Sequence, residues 1–219
     1  MEAKNVHPFP ATGAEKRMIA LRFWLLGMGY HRALRAMDYN RRMFNGLRKD
    51  GITPEFDHHV CQAQYMRTLL PFLTHPEATF TAIFFHDTVE DMGISYEEIL
   101  QFFTDDPEFG KLVADATRRV TKKTRNVKME PEALFRSMAE SPIASLVKGG
   151  DRMHNLQSMI NVFSPEKQRS YLEETEQYIL PMLKIAEQNF PEQEPAYKNI
   201  RTILKMQVDL VAHSLKQRA

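Results

Sequence analysis

Apolar residues recur three and four positions apart along most of this chain. That spacing places them on one face of a helix. No segment alternates apolar and polar residues between turn signals, so no strand is expected. The periodicity predicts helices near Glu15–Met28, Arg32–Leu47, His58–Leu70, Pro76–Val89, Ser95–Phe103, Pro107–Val120, Pro131–Met138 and Ile143–Phe163. Two more are predicted at Pro165–Asn189 and Ala196–Gln217. Ser95 followed by Glu98 has the form of a capping box, and Pro181 should kink or split its helix. Residues 1–13, with Pro8, Pro10 and Gly13, are expected to form a flexible tail ahead of a single domain spanning 14–219. The fold class is all-α.

Composition narrows this picture only slightly. A chain of 219 residues suffices for one domain with a full core. The net charge of +1 gives no reason to expect nucleic-acid binding from the overall balance. The single cysteine, Cys61, excludes an internal disulfide and suits a reducing compartment, so the cytoplasm is the expected location. The apolar stretch Met18–Tyr30 is interrupted by Arg22 and too short to span a bilayer.

Candidate chemistry changes the picture more. His86-Asp87-Thr88-Val89-Glu90-Asp91 follows the apolar run Ala82-Ile83-Phe84-Phe85. On a continuing helix, His86 would lie under Glu90 and Asp87 under Asp91. A divalent cation is the simplest partner for such a face at the edge of a core, although an acidic face is often merely solvated. A second stripe runs from Lys148 to Asn155, with Lys148, Asp151 and Asn155 on one face among apolar neighbours. Its plain reading is an ion-pair cluster of Lys148, Asp151 and Arg152. A third piece runs from Arg48 through a Gly51/Pro54 turn to the adjacent His58 and His59, either of which could supply a further ligand.

These three pieces carry a resemblance. Arg48-Lys49-Asp50-Gly51, Thr53-Pro54-Glu55-Phe56-Asp57-His58, His86 to Asp91, Val120-Thr121-Lys122 and Lys148 to Asn155 fall in the order of a known set of motifs. The chain resembles the HD-domain phosphohydrolases, within them the hydrolase domain of RelA/SpoT-type alarmone enzymes, and by length the free-standing small alarmone hydrolases. The resemblance covers about residues 36–160. It implies a helical HD bundle and metal ligation by His58, His86, Asp87 and Asp151, with Mn²⁺ as the expected ion. It implies that Glu90 and Asp91 act on the attacking water. It implies that Arg48, Lys49, Lys122, Asn155 and Ser158 hold the nucleotide. Three positions depart from the pattern: His59 replaces a Pro, Glu55 a Tyr, and Leu47 stands near a customary Gln. Spacing from Thr53-Pro54 favours His58 over His59 as the ligand, and His154 is expected to point away from the metal.

The implied activity is release of pyrophosphate from the 3′ position of a (p)ppGpp-type alarmone, leaving GDP or GTP. A chain this short is expected to lack a synthetase domain and therefore to degrade the nucleotide. Two other classes remain: a nucleotidase or phosphatase acting on adenosine alarmones or NADPH, and a non-catalytic binding or antitoxin-partner protein that keeps the fold, while an antitoxin acting through alarmone hydrolysis is compatible with the implied activity. The basic run Arg118–Lys128 has no interleaved aromatics and reads as a solvated loop or, beside a metal site, as a cationic lip for a phosphorylated nucleotide.

Overall fold

The computed structural model describes residues 13–124, 127–128, 130–160 and 162–217. Among the described residues, twelve α-helices make up most of the structure. They are α1 (Gly13–Gly27), α2 (His31–Met43), α3 (Phe56–Thr68), α4 (Pro76–Phe85), α5 (Thr88–Met92) and α6 (Tyr96–Gln101). The remainder are α7 (Pro107–Val120), α8 (Pro131–Ala139), α9 (Ala144–Ser158), α10 (Pro165–Glu174), α11 (Leu180–Asn189) and α12 (Glu194–Gln217). The extended pairing among the described residues is an antiparallel contact of Lys123–Thr124 with Val127–Lys128. The expected N-terminal tail lies outside the described residues except for Gly13, which opens α1. Arg125 and Asn126 of the basic run also lie outside them.

Helix α4 is the hub. Pro76 starts it, where a missing N–H costs nothing, and Ala78 through Phe85 are all buried. A helix apolar on every side belongs in the middle of a bundle. It packs against α2, α3, α7 and α9, while α3 and α9 also touch each other. Helices α3 and α9, with the turn that follows α4, carry the ligand-type groups singled out in the sequence.

Several boundaries depart from the periodic pattern, each for a local reason. Helix α4 stops at Phe85 instead of running to Val89. Thr88 Oγ1 donates to the Phe85 carbonyl at 2.7 Å, and the His86 ring takes the Ile83 carbonyl at 2.8 Å. Side chains thus capture carbonyls that would otherwise continue the helix. Helix α2 ends at Met43, because the chain then enters a loop closed by a bridge between Leu47 and Pro54. Asp50 Oδ1 accepts the backbone N–H groups of Ile52 and Thr53 at 2.9 and 2.8 Å, and Gly51 sits at φ +71°. This is an Asx-type turn, and its hydrogen bonds, led by the Thr53 hydroxyl, lower the Asp50 pKa to about 2. The predicted Pro165–Asn189 helix splits around a π-helical turn, Thr175–Ile179, just ahead of Pro181. Pro181 has no N–H to offer the preceding turn, and widening the helix accommodates its ring. The capping box is present: Ser95 Oγ accepts from Glu98 N at 3.2 Å, and Glu98 Oε2 from Ser95 N at 2.8 Å.

Helix α9 is pressed from both sides at paired glycines. A Cβ on Gly149 would meet Ile200 Cγ2 of α12 at 2.9 Å and Leu183 Cδ2 of α11 at 3.1 Å. Alanine normally favours a helix by about 1 kcal/mol over glycine. Here overpacking dominates, and Gly149→Ala should destabilise the protein by about 1–3 kcal/mol. Thermal or urea unfolding of the variant measures this, and an unchanged or raised midpoint would refute the close packing.

Candidate metal centre and substrate cleft

Two helices and a turn bring five ligand-type side chains together. Helix α3 supplies His58 and His59 from its first turns, the α4–α5 turn supplies His86 and Asp87, and α9 supplies Asp151. His58 Nε2 lies 3.2 Å from Asp151 Oδ1 and 3.9 Å from Asp87 Oδ2. His86 Nε2 lies 3.1 Å from Asp87 Oδ2 and 3.8 Å from Asp151 Oδ1. His59 Nε2 is 3.6 Å from Asp87 Oδ2.

The far side of each ring explains its orientation. His86 Nδ1 donates to the Ile83 carbonyl, so in the neutral ring Nε2 carries the lone pair that faces the carboxylates. His58 Nδ1 lies 2.7 Å from His154 Nδ1. Burial and the neighbouring His58 lower the His154 pKa to about 3, which suits it to accept from His58. His154 therefore meets His58 on the ring edge opposite the carboxylates and is the group that holds it. Its signal in the sequence was only its place within the motif.

The cluster attracts positive charge. Burial alone would lower the His86 pKa, yet Asp87 and Asp151 overcome that and push it up to about 10. Burial opposes the charge on Asp151, yet Lys148, His58 and His86 hold its pKa well below the usual carboxylate range. Lys148 Nζ donates to Asp151 Oδ2 at 2.6 Å, and Asn155 Nδ2 donates to Asp151 Oδ1 at 2.6 Å. The polar stripe on α9 is thus realised, although Arg152 pairs with Glu174 and not with Asp151. His86 Nε2 and both ring nitrogens of His59 are buried without an aligned hydrogen-bond partner. Buried polar atoms are rarely left so. A mixed nitrogen and oxygen donor set with converging lone pairs fits a divalent transition ion.

The cluster sits where two chambers meet. One, about 380 Å³, has walls of Phe44, Leu47, Phe163 and Tyr171, with Arg48, Lys49, Asp91, Asn155 and Ser158 at its polar edge. The other, about 230 Å³, is lined by Glu90, Lys122, Lys148 and Arg152. His58, Asp87, Asn155 and Arg48 border both. Arg48 Nη2 donates to Asn155 Oδ1 at 3.2 Å and to Ser158 Oγ at 3.4 Å. Lys49 Nζ lies 5.1 Å from the Phe163 ring centroid. The acidic pair divides: Asp91 faces the first chamber, while Glu90 in the second accepts the backbone N–H of Lys122. Burial, Asp87 and Glu90 push the Asp91 pKa up to about 6. Lys122 and Arg152 share the carboxylate of Glu174, which the sequence motifs do not mark. Glu174 stands where α10 passes into the π turn.

The described residues thus form a helical bundle with a buried His/Asp cluster at the base of a cleft of mixed charge. The chain belongs to the HD-domain family, whose HD domain matches residues 36–181. Among similar proteins, a "Probable guanosine-3′,5′-bis(diphosphate) 3′-pyrophosphohydrolase" of Synechocystis sp. is 33% identical over 139 residues, 62% of this chain and 17% of that protein. A protein of the same activity name from Aquifex aeolicus is 30% identical over 146 residues, 58% of this chain and 20% of that protein. A "Probable GTP pyrophosphokinase" of Mycobacterium leprae is 32% identical over 136 residues, 55% of this chain and 17% of that protein. The matched region thus spans at most about a fifth of these relatives. No helix among the described residues is long and apolar enough to cross a membrane.

Proposed function

We propose that this chain hydrolyses the 3′-pyrophosphate of a (p)ppGpp-type alarmone, releasing GDP or GTP and pyrophosphate, with one Mn²⁺ held by His58, His86, Asp87 and Asp151. The observation that carries this reading is the His/Asp cluster at the junction of a chamber with aromatic walls and a second one lined by Lys122, Lys148 and Arg152. The family and the named activities of two relatives support this substrate class. The nucleoside would lie in the first chamber and the 3′-pyrophosphate in the second. When bound, the ion would supply Lewis acidity toward phosphoryl oxygens and make a water more acidic. Asp91 and Glu90 would orient that water and take its proton. Lys122, Lys148 and Arg152 would neutralise the pyrophosphate, and Asn155 and Ser158 would fix the sugar side together with Arg48. The cytoplasm as location and a small nucleotide as partner, without nucleic acid, complete this reading.

A second reading is a nucleotidase or phosphatase acting on an adenosine alarmone or NADPH. One observation favours it: Leu47 and Glu55, two of the departures from the family pattern, both line the first chamber. An antitoxin role would operate through the same hydrolysis. Incubation with Mn²⁺ and paired guanosine and adenosine alarmones, plus NADPH, with chromatographic product analysis, separates these readings. Intact pyrophosphate and a 5′-nucleotide are the expected products from ppGpp. Orthophosphate with a retained 3′-monophosphate would replace the proposal with the phosphatase reading.

Arg48 should act mainly on binding. Its planar guanidinium can stack on a base as well as hold Asn155 and Ser158. Arg48→Ala should raise KM about tenfold, equivalent to about 1.4 kcal/mol, with a smaller change in kcat. Steady-state kinetics decide this, and a fall confined to kcat would contradict the placement.

A further inference from the structure

We infer that His59 is a fifth protein ligand to the same ion, so that the centre holds three imidazoles and two carboxylates. This rests on the metal centre of the proposed function and goes beyond the four ligands that the motifs imply.

The geometry has two overlapping triads. Donor atoms of His58, His86 and Asp151 lie within 4.8 Å of one another, and so do those of His59, His86 and Asp87. His86 belongs to both, and Asp87 Oδ2 is 3.9 Å from His58 Nε2, so the triads form one cluster. His59 occupies the Asp87 side of it, with Nε2 3.6 Å from Oδ2.

The ring itself gives the independent argument. His59 is 2% exposed, and neither of its nitrogens has a hydrogen-bond partner. Its neighbours are the Phe44 ring, with centroids 4.7 Å apart, and the rings of His86 and His58 at 5.0 and 5.1 Å. A side chain kept only to fill space beside Phe44 would be better apolar, because two buried nitrogens without partners are costly. Ligation of an ion beside Asp87 satisfies one of them at once. Adding His59 also changes the chemistry available. A fifth protein ligand would occupy one position that would otherwise take water or substrate. Three imidazoles shift the preference away from Mg²⁺ toward Mn²⁺, Co²⁺ or Zn²⁺.

Pulsed electron paramagnetic resonance of the Mn²⁺-loaded chain counts ligating imidazole nitrogens. Three are expected in the wild type and two in His59→Ala. Water-proton relaxation should report one more fast-exchanging water in the variant than in the wild type. Mn²⁺ affinity in the variant should fall by at least the ~10–100-fold that losing an orienting neighbour typically costs. The wild-type nitrogen count stands even if His59→Ala does not fold. Two nitrogens in the wild type, with pyrophosphate still released, would overturn the role of His59 and leave the proposed function intact. Two ions per chain would overturn the single shared site. A chain that binds no divalent ion at all overturns both readings together.

Discussion

Asp151→Ala should lose the metal and lower the stability of the metal-free protein by roughly 3–5 kcal/mol, the usual cost of stranding one partner of a buried ion pair. Asp151 is 5% exposed and accepts from both Lys148 and Asn155. Lys148 is itself 7% exposed, and burial works against its charge. Asp151 is what outweighs that burial and raises the Lys148 pKa. Without the carboxylate, an ammonium group is left in the interior, and His58 Nε2 loses the oxygen 3.2 Å away. Chemical denaturation and elemental analysis give the two readouts. A second variant separates them: adding Lys148→Met to Asp151→Ala should restore most of the stability and none of the metal. If Asp151→Ala unfolds at the wild-type midpoint, the buried pair is not as described.

The acidic pair should govern rate and spare binding. Glu90→Gln and Asp91→Asn keep shape and hydrogen-bonding atoms while removing basicity. Each should retain metal and nucleotide affinity, with turnover reduced by roughly 10²–10⁴-fold, the usual contribution of a positioned acid or base. Asp91 also predicts a pH effect. Its pKa is pushed up to about 6 by burial, Asp87 and Glu90. A carboxylate acting as base works only when ionised, so turnover of the metal-loaded enzyme should rise with pH through a limb below about 6. A cation beside Asp87 sets the limb below that value, because positive charge favours the carboxylate. The limb should vanish in Asp91→Asn. Calorimetric binding beside kinetics over a pH series tests this, and near-normal turnover in both variants would make the pair structural.

The helices were legible wherever the stop signals were local. Asp106 caps α7 at the predicted start, accepting from Phe109 N at 3.1 Å, and Ser95 and Glu98 close their box as their spacing requires. The polar stripe of α9 was legible because both of its hydrogen bonds lie within one helix. The break at His86–Asp87 was not, since it depends on where a ring nitrogen and a hydroxyl find carbonyls. It also alters how the metal motif is read: the paired residues are presented by a turn, although Asp91 N still reaches Asp87 O at 2.9 Å. His154 and Glu174 were missed because their partners lie 96 residues away, in the first case, and 52 and 22 in the second. No periodicity within a helix reports such distances.

The seam between α9 and α12 bears on how such a protein can be cut and recombined. The family match ends at residue 181, whereas α12 begins at Glu194. Yet α12 places Ile200 against Gly149, two residues from the carboxylate on which the cluster depends. A fragment trimmed to the matched region would carry every motif and still leave one wall of α9 facing water. Transplanting the motifs into another helical scaffold would therefore require a surrogate for that wall, shaped to the gap that Gly149 leaves beside Ile200.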